Sequence, residues 1–122
     1  MNTTSSIPDA VIEILTLSLK PGTRHLFHQI YTSQALPLLK KWNFHVIDYG
    51  PSQHDDNTYY VIRAFASVKD RQQDEDAYYQ SMDWREGPRS TILSMIEHDA
   101  YTVVPASTIQ VWSGKLSGNR KL

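Results

Sequence analysis

The order of strand-like and helix-like segments predicts a single α+β domain of ferredoxin-like topology, βαββαβ with an extra short helix. The chain of 122 residues is long enough to close one hydrophobic core and too short for two. Its hydrophobic share of 40% and charged share of 20% lie near globular averages, which argues against a disordered or fibrous chain. The expected organisation is a flexible segment at 1–10, the domain at 11–104, and a tail or edge strand at 105–122.

The first strand is predicted from Val11 to Leu19. Its odd-numbered and even-numbered positions are both largely apolar. Because successive side chains of a strand point to opposite faces, both faces of this strand are expected to be covered.

The first helix is predicted to begin after Thr23, whose side-chain oxygen is expected to cap it. Pro37 lies inside the helical pattern and removes a backbone hydrogen bond, so a kink or break is expected near Ala35 or Leu36. Asn43 tolerates the left-handed conformation that ends a helix.

Two strands and a second helix are expected next. The segments 44–50 and 58–65 are rich in β-branched and aromatic residues and predict a hairpin. Ser67, followed three residues later by Asp70, resembles a capping box, and the helix that it opens should run to about Met82.

A short helix and a last strand complete the pattern. Gly87-Pro88 interrupts the chain, 90–97 predicts a helical turn or two, and 101–104 predicts a strand that Pro105 stops. The alternating segment 109–112 is open to two interpretations, a loose tail or an extra edge strand.

Composition and motifs narrow the possible functions. A net charge of −1 gives no positive field for nucleic acid, and the absence of Cys excludes thiolate chemistry and sulfur-bound metals. No signal peptide or membrane-spanning segment is recognisable, so a cytoplasmic protein without a membrane partner is expected. His25 and His28 have a spacing that suits a metal but lack a readable third ligand, so neither a metal nor a cofactor is predicted.

The sheet is expected to have one face that the two helices leave open. We assign to this open face the side chains at alternate positions of the two central strands, namely Leu15, Leu17, Val61 and Phe65. A second copy of the chain that presents the same face would bury them, so a homodimer is expected.

Four segments of the chain resemble the NIPSNAP family. They are EILTLSLKPG at 13–22, ALPLLKK at 35–41, RAFASVKDR at 63–71 and MDW at 82–84. They occur in the family's order and together span most of the chain. The resemblance implies the family's dimeric α/β barrel fold, which also houses monooxygenases, isomerases and haem enzymes.

The chain departs from the family pattern in its first strand. Leu15 and Leu17 stand where the pattern has Arg and Tyr. If the family uses this strand face as the floor of a polar pocket, the floor is more apolar here.

Four polar side chains are candidates for a catalytic site in the barrel interior. Strand alternation places Glu13 and Arg63 on the face that we assign to that interior, and His45 and Tyr49 are candidates for the same face. Together they are the parts of a general acid–base site. The alternative is structural, with Glu13 and Arg63 as a buried pair that satisfies itself. Trp84 either lines the mouth of a pocket or packs in the core.

Three functions remain open from the sequence. The first is a NIPSNAP-like homodimer that binds a small apolar or aromatic molecule in the barrel interior. The second is a cofactor-independent monooxygenase or isomerase. The third is a protein-interaction dimer whose interior is filled.

Overall fold

The computed structural model describes residues 9–108. Its elements follow one another as strand, interrupted helix, two strands, three helices and strand. In chain order they are β1 (Val11–Leu19), α1 (Arg24–Ile30), a π-helical turn (Tyr31–Ala35), α2 (Leu36–Lys41), β2 (His45–Pro51), β3 (Thr58–Phe65), α3 (Val68–Gln80), α4 (Met82–Arg85), α5 (Arg89–Met95) and β4 (Ile96–Pro105).

The four strands form one antiparallel sheet in the order β2–β3–β1–β4. Strands β1 and β3 are central, and β2 and β4 form the edges. This order is that of the ferredoxin-like α+β fold, so the predicted fold class is confirmed.

The interruption of the first helical region lies where Pro37 predicted it. The chain widens into the π-helical turn Tyr31–Ala35, and Pro37 falls in the first turn of α2, where its missing N–H costs least. Asn43 ends the region with a φ of 64°. The predicted cap at Thr23 is wrong, because its hydroxyl donates to the Lys20 carbonyl oxygen at 2.7 Å instead of accepting from the helix.

Helix α3 begins as predicted, since the Ser67 hydroxyl accepts from the Asp70 backbone N–H at 3.0 Å. The end of the chain's last helix differs from the prediction. Strand β4 begins at Ile96, not at Tyr101, because residues 96–100 continue the pairing with β1 as far as Leu19.

The core lies between the helices and the odd-numbered side chains of β1 and β3. Leu17 and Val61 are buried there with Phe27 and Trp84, and Phe65 packs on the same side against Phe44. The assignment of Leu15, Leu17, Val61 and Phe65 to the open face is therefore wrong. Both faces of these strands are apolar, so alternation predicted which residues share a face but not which face the helices cover.

Two parts of the sequence-based predictions lie outside the described residues. They are the flexible N-terminal segment, apart from residues 9 and 10, and the alternating segment 109–112. None of the helices within 9–108 is long and apolar enough to cross a membrane.

Candidate functional site

A cavity of about 350 Å³ lies between the sheet and the helices. Its walls are mostly apolar and aromatic, and charged groups gather at one end. The lining residues that matter most are Leu15, Leu17, Phe27, Ala35, Tyr78 and Trp84 on the apolar part and Glu13, Arg63, Arg71 and Glu75 at the charged end. A volume of this size suits a small organic molecule.

Glu13 is the centre of the charged end. Its Oε1 accepts from Arg63 Nε at 2.8 Å and Nη2 at 2.6 Å, and its Oε2 accepts from Arg71 Nε at 2.7 Å. The carboxylate is 1% exposed, which is tolerable only because two guanidinium groups compensate its charge. Strand β1 supplies the carboxylate, and β3 and α3 each supply one arginine.

Glu75 is the second carboxylate of the cluster, one helical turn after Arg71. Its side chain lies 3.0 Å from Arg63 Nη2 and 3.3 Å from Arg71 Nη2. Burial and a hydrogen bond shared with Glu13 outweigh both arginines and raise the pKa of Glu75 to about 8.

The pKa of Glu13 is shifted in the opposite direction, downwards. Burial on its own would raise its pKa, but the hydrogen bond with Glu75 and the charges and hydrogen bonds of Arg63 and Arg71 outweigh it and hold the pKa of Glu13 below its ordinary value. At neutral pH the cluster therefore holds an ionised Glu13 beside a protonated Glu75.

The two arginines differ in how fully their N–H groups are used. Arg63 donates through all three nitrogens, to Glu13, to Glu75 and to the Tyr79 hydroxyl at 3.0 Å. Arg71 donates through Nε to Glu13, approaches Glu75 through Nη2, and packs its guanidinium 4.4 Å from the centre of the Tyr101 ring. The Tyr101 hydroxyl lies within hydrogen-bonding reach of the same guanidinium.

Tyr78 lines the cavity and carries a buried polar atom. The residue is 1% exposed, and its hydroxyl has no hydrogen-bond partner in the part of the chain that the structure describes. Burial raises the pKa of this hydroxyl, so it remains a neutral donor and acceptor. A buried hydroxyl without a partner costs stability, so it needs an explanation.

The structure brings together only two of the four residues predicted as catalytic candidates. Glu13 and Arg63 are paired and line the cavity, on the helix-covered side of the sheet and not on the open face. A β-bulge between Val46 and Asp48 separates the other two. It leaves His45 exposed at the register of Ala64 on the open face, and Tyr49 on the helix side at the register of Val61.

Tyr49 packs near Tyr31 and His28 but does not line the cavity. Of the predicted pocket or interface residues, Leu15, Leu17 and Trp84 line the cavity, whereas Val61 and Phe65 are buried beside it.

Sequence reasoning missed Glu75, Tyr78, Tyr79 and Tyr101 as parts of the site. Arg71 donates to the strand carboxylate of Glu13. A usable signal existed in α3, because positions 71, 75, 78 and 79 have the spacing of one helical face. The few apolar residues of that helix point elsewhere, with Val68 60% exposed, so an apolar stripe could not reveal its buried face.

The fold is shared with solved structures of NIPSNAP proteins. An uncharacterised NIPSNAP-like domain protein from Burkholderia xenovorans superposes with a TM-score of 0.75 at 16% identity, covering 82% of this chain and 88% of that one. A NIPSNAP family protein of unknown function from Agrobacterium tumefaciens gives 0.74 at 20% identity, over 80% and 88% of the two chains. A putative antibiotic biosynthesis monooxygenase from Nitrosomonas europaea gives 0.61 at 13% identity, over 81% and 91%.

No protein-family model and no curated protein matches the sequence. The resemblance to NIPSNAP proteins that four sequence segments indicated is thus confirmed in three dimensions, and what it shows is a common fold.

Proposed function

We propose that this protein binds a small molecule with an apolar or aromatic body in the cavity between its helices and its sheet. The observation that carries the proposal is the cavity itself, about 350 Å³ in volume, with mostly apolar and aromatic walls and a charged cluster at one end. A ligand with an apolar or aromatic body and one polar end would match these walls and this charged end.

The site differs from the one that the sequence suggested. The ligand was expected in the barrel interior, on the open face of the sheet, whereas the described cavity lies under the helices.

Calorimetric titration with two aromatic probes, the neutral 1-naphthalenemethanol and the anionic 1-naphthoate, tests the proposal. Ala35 is 2% exposed and lines the cavity, so Ala35→Leu should fill part of it and weaken binding at least tenfold. Ala77 lies exposed on α3, so Ala77→Leu is a matched control that should bind like the wild type. Failure of both probes to bind the wild-type protein would refute the proposal.

We also propose that two copies pair through the open face of the sheet. This face carries the even-numbered side chains of the central strands, including Ile14 and Ile62, which no helix of the described core covers. The homodimer predicted from the sequence is retained, with different interface residues.

Light scattering of variants tests the pairing. Ala100 is exposed on β4 at the register of Thr16, so Ala100→Arg places a charge on the proposed interface and should yield monomers. Ala77→Arg makes the same change on α3 and should leave the dimer intact. A monomeric mass for the wild type at micromolar concentration would exclude the interface.

An enzymatic function is the second candidate, and Glu75 is the observation that favours it. A carboxylic acid with a pKa of about 8 beside an apolar cavity has the properties of a general acid–base group. Oxygen uptake with a naphthohydroquinone should then exceed the buffer rate and fall at least a hundredfold in Glu75→Gln. Loss of activity in His45→Ala would instead support the set of residues predicted from the sequence, and rates equal to buffer would exclude quinol oxidation.

A further inference from the structure

We propose that the cavity takes a small apolar carboxylate, whose anionic group binds the guanidinium of Arg71 beside Glu75. The inference rests on the proposed function, because it names the chemical class of the ligand for the same cavity. It follows from three features of the cavity: the charge balance of its charged end, the unequal use of the two arginines there, and its apolar walls.

The charge balance of the cluster favours one more negative charge. Arg63 and Arg71 contribute two positive charges, and Glu13 compensates one of them. Glu75 is held as a neutral acid at neutral pH by burial and by its closeness to Glu13. The cluster therefore carries a net charge of +1 at the edge of an apolar cavity, where a bound monoanion would neutralise it.

The use of the N–H groups identifies Arg71 as the ligand-binding arginine. Arg63 is 3% exposed and already donates through all three of its nitrogens to three protein side chains. Arg71 lines the cavity and donates through Nε to the Glu13 carboxylate, while the Tyr101 hydroxyl lies within reach of its guanidinium. A guanidinium edge is the usual partner of a carboxylate, which it binds through two parallel N–H groups.

Other charged and titratable groups around Glu75 do not reverse this balance. The Tyr79 hydroxyl on α3 accepts from Arg63 on β3. Tyr101 on β4 packs on the face of Arg71, and its hydroxyl lies within hydrogen-bonding reach of the guanidinium. Asp99 is the remaining carboxylate of the lining. It is exposed and lies opposite Leu17, two strand positions beyond Tyr101, so water screens its charge.

The apolar part of the cavity accommodates the body of the ligand. Leu15 and Leu17 form the floor on β1, and Phe27 and Trp84 contribute aromatic walls. Tyr78, one helical turn after Glu75, belongs to the same lining. An aryl carboxylate with two fused rings combines these requirements.

The proposal predicts a definite pH dependence. Below the pKa of Glu75, the cluster is positive and favours the anion. Above it, Glu75 becomes ionised, the cluster becomes neutral, and the new carboxylate faces that of the ligand. Affinity for a carboxylate should therefore fall as the pH rises through about 8, approaching tenfold per pH unit.

Calorimetric titration with 1-naphthoate and its neutral isostere 1-naphthalenemethanol, at pH about 6.5 and about 9, tests the inference. At the lower pH the wild type should bind 1-naphthoate at least tenfold more tightly than the alcohol. This preference should shrink at the higher pH. Glu75→Gln mimics the protonated acid and should keep the preference at both pH values. Arg71→Lys keeps the positive charge but loses the paired N–H donors of the guanidinium. It should therefore lose most of the preference for the carboxylate over the alcohol.

The possible results separate this inference from the function on which it rests. If the alcohol binds as tightly as the carboxylate at both pH values, the cavity is a small-molecule site but the assignment of a carboxylate is wrong. If Glu75→Gln retains the wild-type pH dependence, Glu75 is not the group responsible and the inference fails. If neither probe binds the wild type, the inference and the proposed function both fail.

Discussion

The two faces of the four-stranded sheet differ in how their charged side chains are stabilised, by buried partners on one face and by water on the other. On the helix-covered face, Glu13 and Arg63 form part of a buried cluster in which every carboxylate oxygen of Glu13 is bound by a guanidinium. On the open face, the polar contact between Tyr60 and Asp48 is exposed to water and spans 2.9 Å. Both faces belong to strands of similar apolar character.

This difference indicates which face of the sheet suits a function that requires a buried charge. A charge under the helices must be compensated within the protein, and the compensation then holds several side chains in fixed positions around a cavity. A charge on the open face is solvated and fixes little. The covered face is therefore the one that can bind and orient a small molecule, and the open face is the one that a second copy can cover.

The largest effect is expected from breaking the buried cluster. Glu13→Gln removes the charge that two buried guanidinium groups share, so the free energy of unfolding should fall by about 3–5 kcal/mol. Chemical denaturation followed by circular dichroism measures this loss. Glu97→Gln makes the same change on an exposed position of β4 and should alter stability by less than about 0.5 kcal/mol. Equal effects of the two variants would contradict the contrast between a buried, compensated charge and an exposed one.

Strand alternation placed Glu13 and Arg63 on one face of the sheet and made His45 a candidate for the same face. The pairing of Glu13 and Arg63 was predictable because their positions share a face of two neighbouring strands. The separation of His45 from Tyr49 was not, because a bulge after Val46 adds a residue to β2 and no local sequence signal marks it.

A second prediction compares apolar side chains on the two faces. Leu17 is 5% exposed in the core, so Leu17→Ala should destabilise the isolated chain by about 2–5 kcal/mol. Ile14 is only half-buried on the other face, so Ile14→Ala should cost the isolated chain clearly less. Denaturation at several protein concentrations distinguishes the effects of the two variants. The loss in Ile14→Ala should depend on concentration if this face pairs with a second copy, whereas the loss in Leu17→Ala should not.

The side of the sheet that the helices cover was the main point that the sequence left undetermined. The central strands are apolar on both faces, so the hydrophobic pattern favoured neither. The buried face of α3 is equally hard to recognise, because it uses Arg71, Glu75 and Tyr78 in place of aliphatic residues. The strand order and the helix interruption at Pro37 were predictable because turn, cap and proline chemistry act locally.

A third prediction concerns the pH dependence that Glu75 gives to stability. Its pKa is raised from 4.5 to about 8 on folding, so between these values the folded state retains a proton that the unfolded state has lost. The contribution of Glu75 to the free energy of unfolding should therefore be greatest below pH 4.5. It should decline as the pH rises towards 8, with a slope of up to about 1.4 kcal/mol per pH unit. Glu13 acts in the opposite sense, because its lowered pKa makes stability fall as the pH falls.

Comparison of the wild type with Glu75→Gln isolates this contribution, since the amide cannot ionise. The variant should become more stable relative to the wild type as the pH rises from about 5 to about 8. A constant difference over this range would mean that Glu75 ionises at an ordinary pKa, and the charged end of the cavity would then be neutral at pH 7.

The smallest effect on stability is expected at Tyr78, and it carries the most information about function. In the ligand-free protein its buried hydroxyl has no partner within residues 9–108, so Tyr78→Phe should leave stability unchanged or raise it by about 1 kcal/mol. Tyr59→Phe is the control, because the Tyr59 hydroxyl is bound to His28 Nδ1 at 2.7 Å and its removal should destabilise the fold by about 1 kcal/mol. If the Tyr78 hydroxyl serves a ligand, Tyr78→Phe should also weaken 1-naphthoate binding severalfold while Tyr59→Phe should not. A hydroxyl that costs the free protein stability and strengthens a complex is placed for the complex, whereas destabilisation by Tyr78→Phe without a change in affinity would assign the hydroxyl to the core.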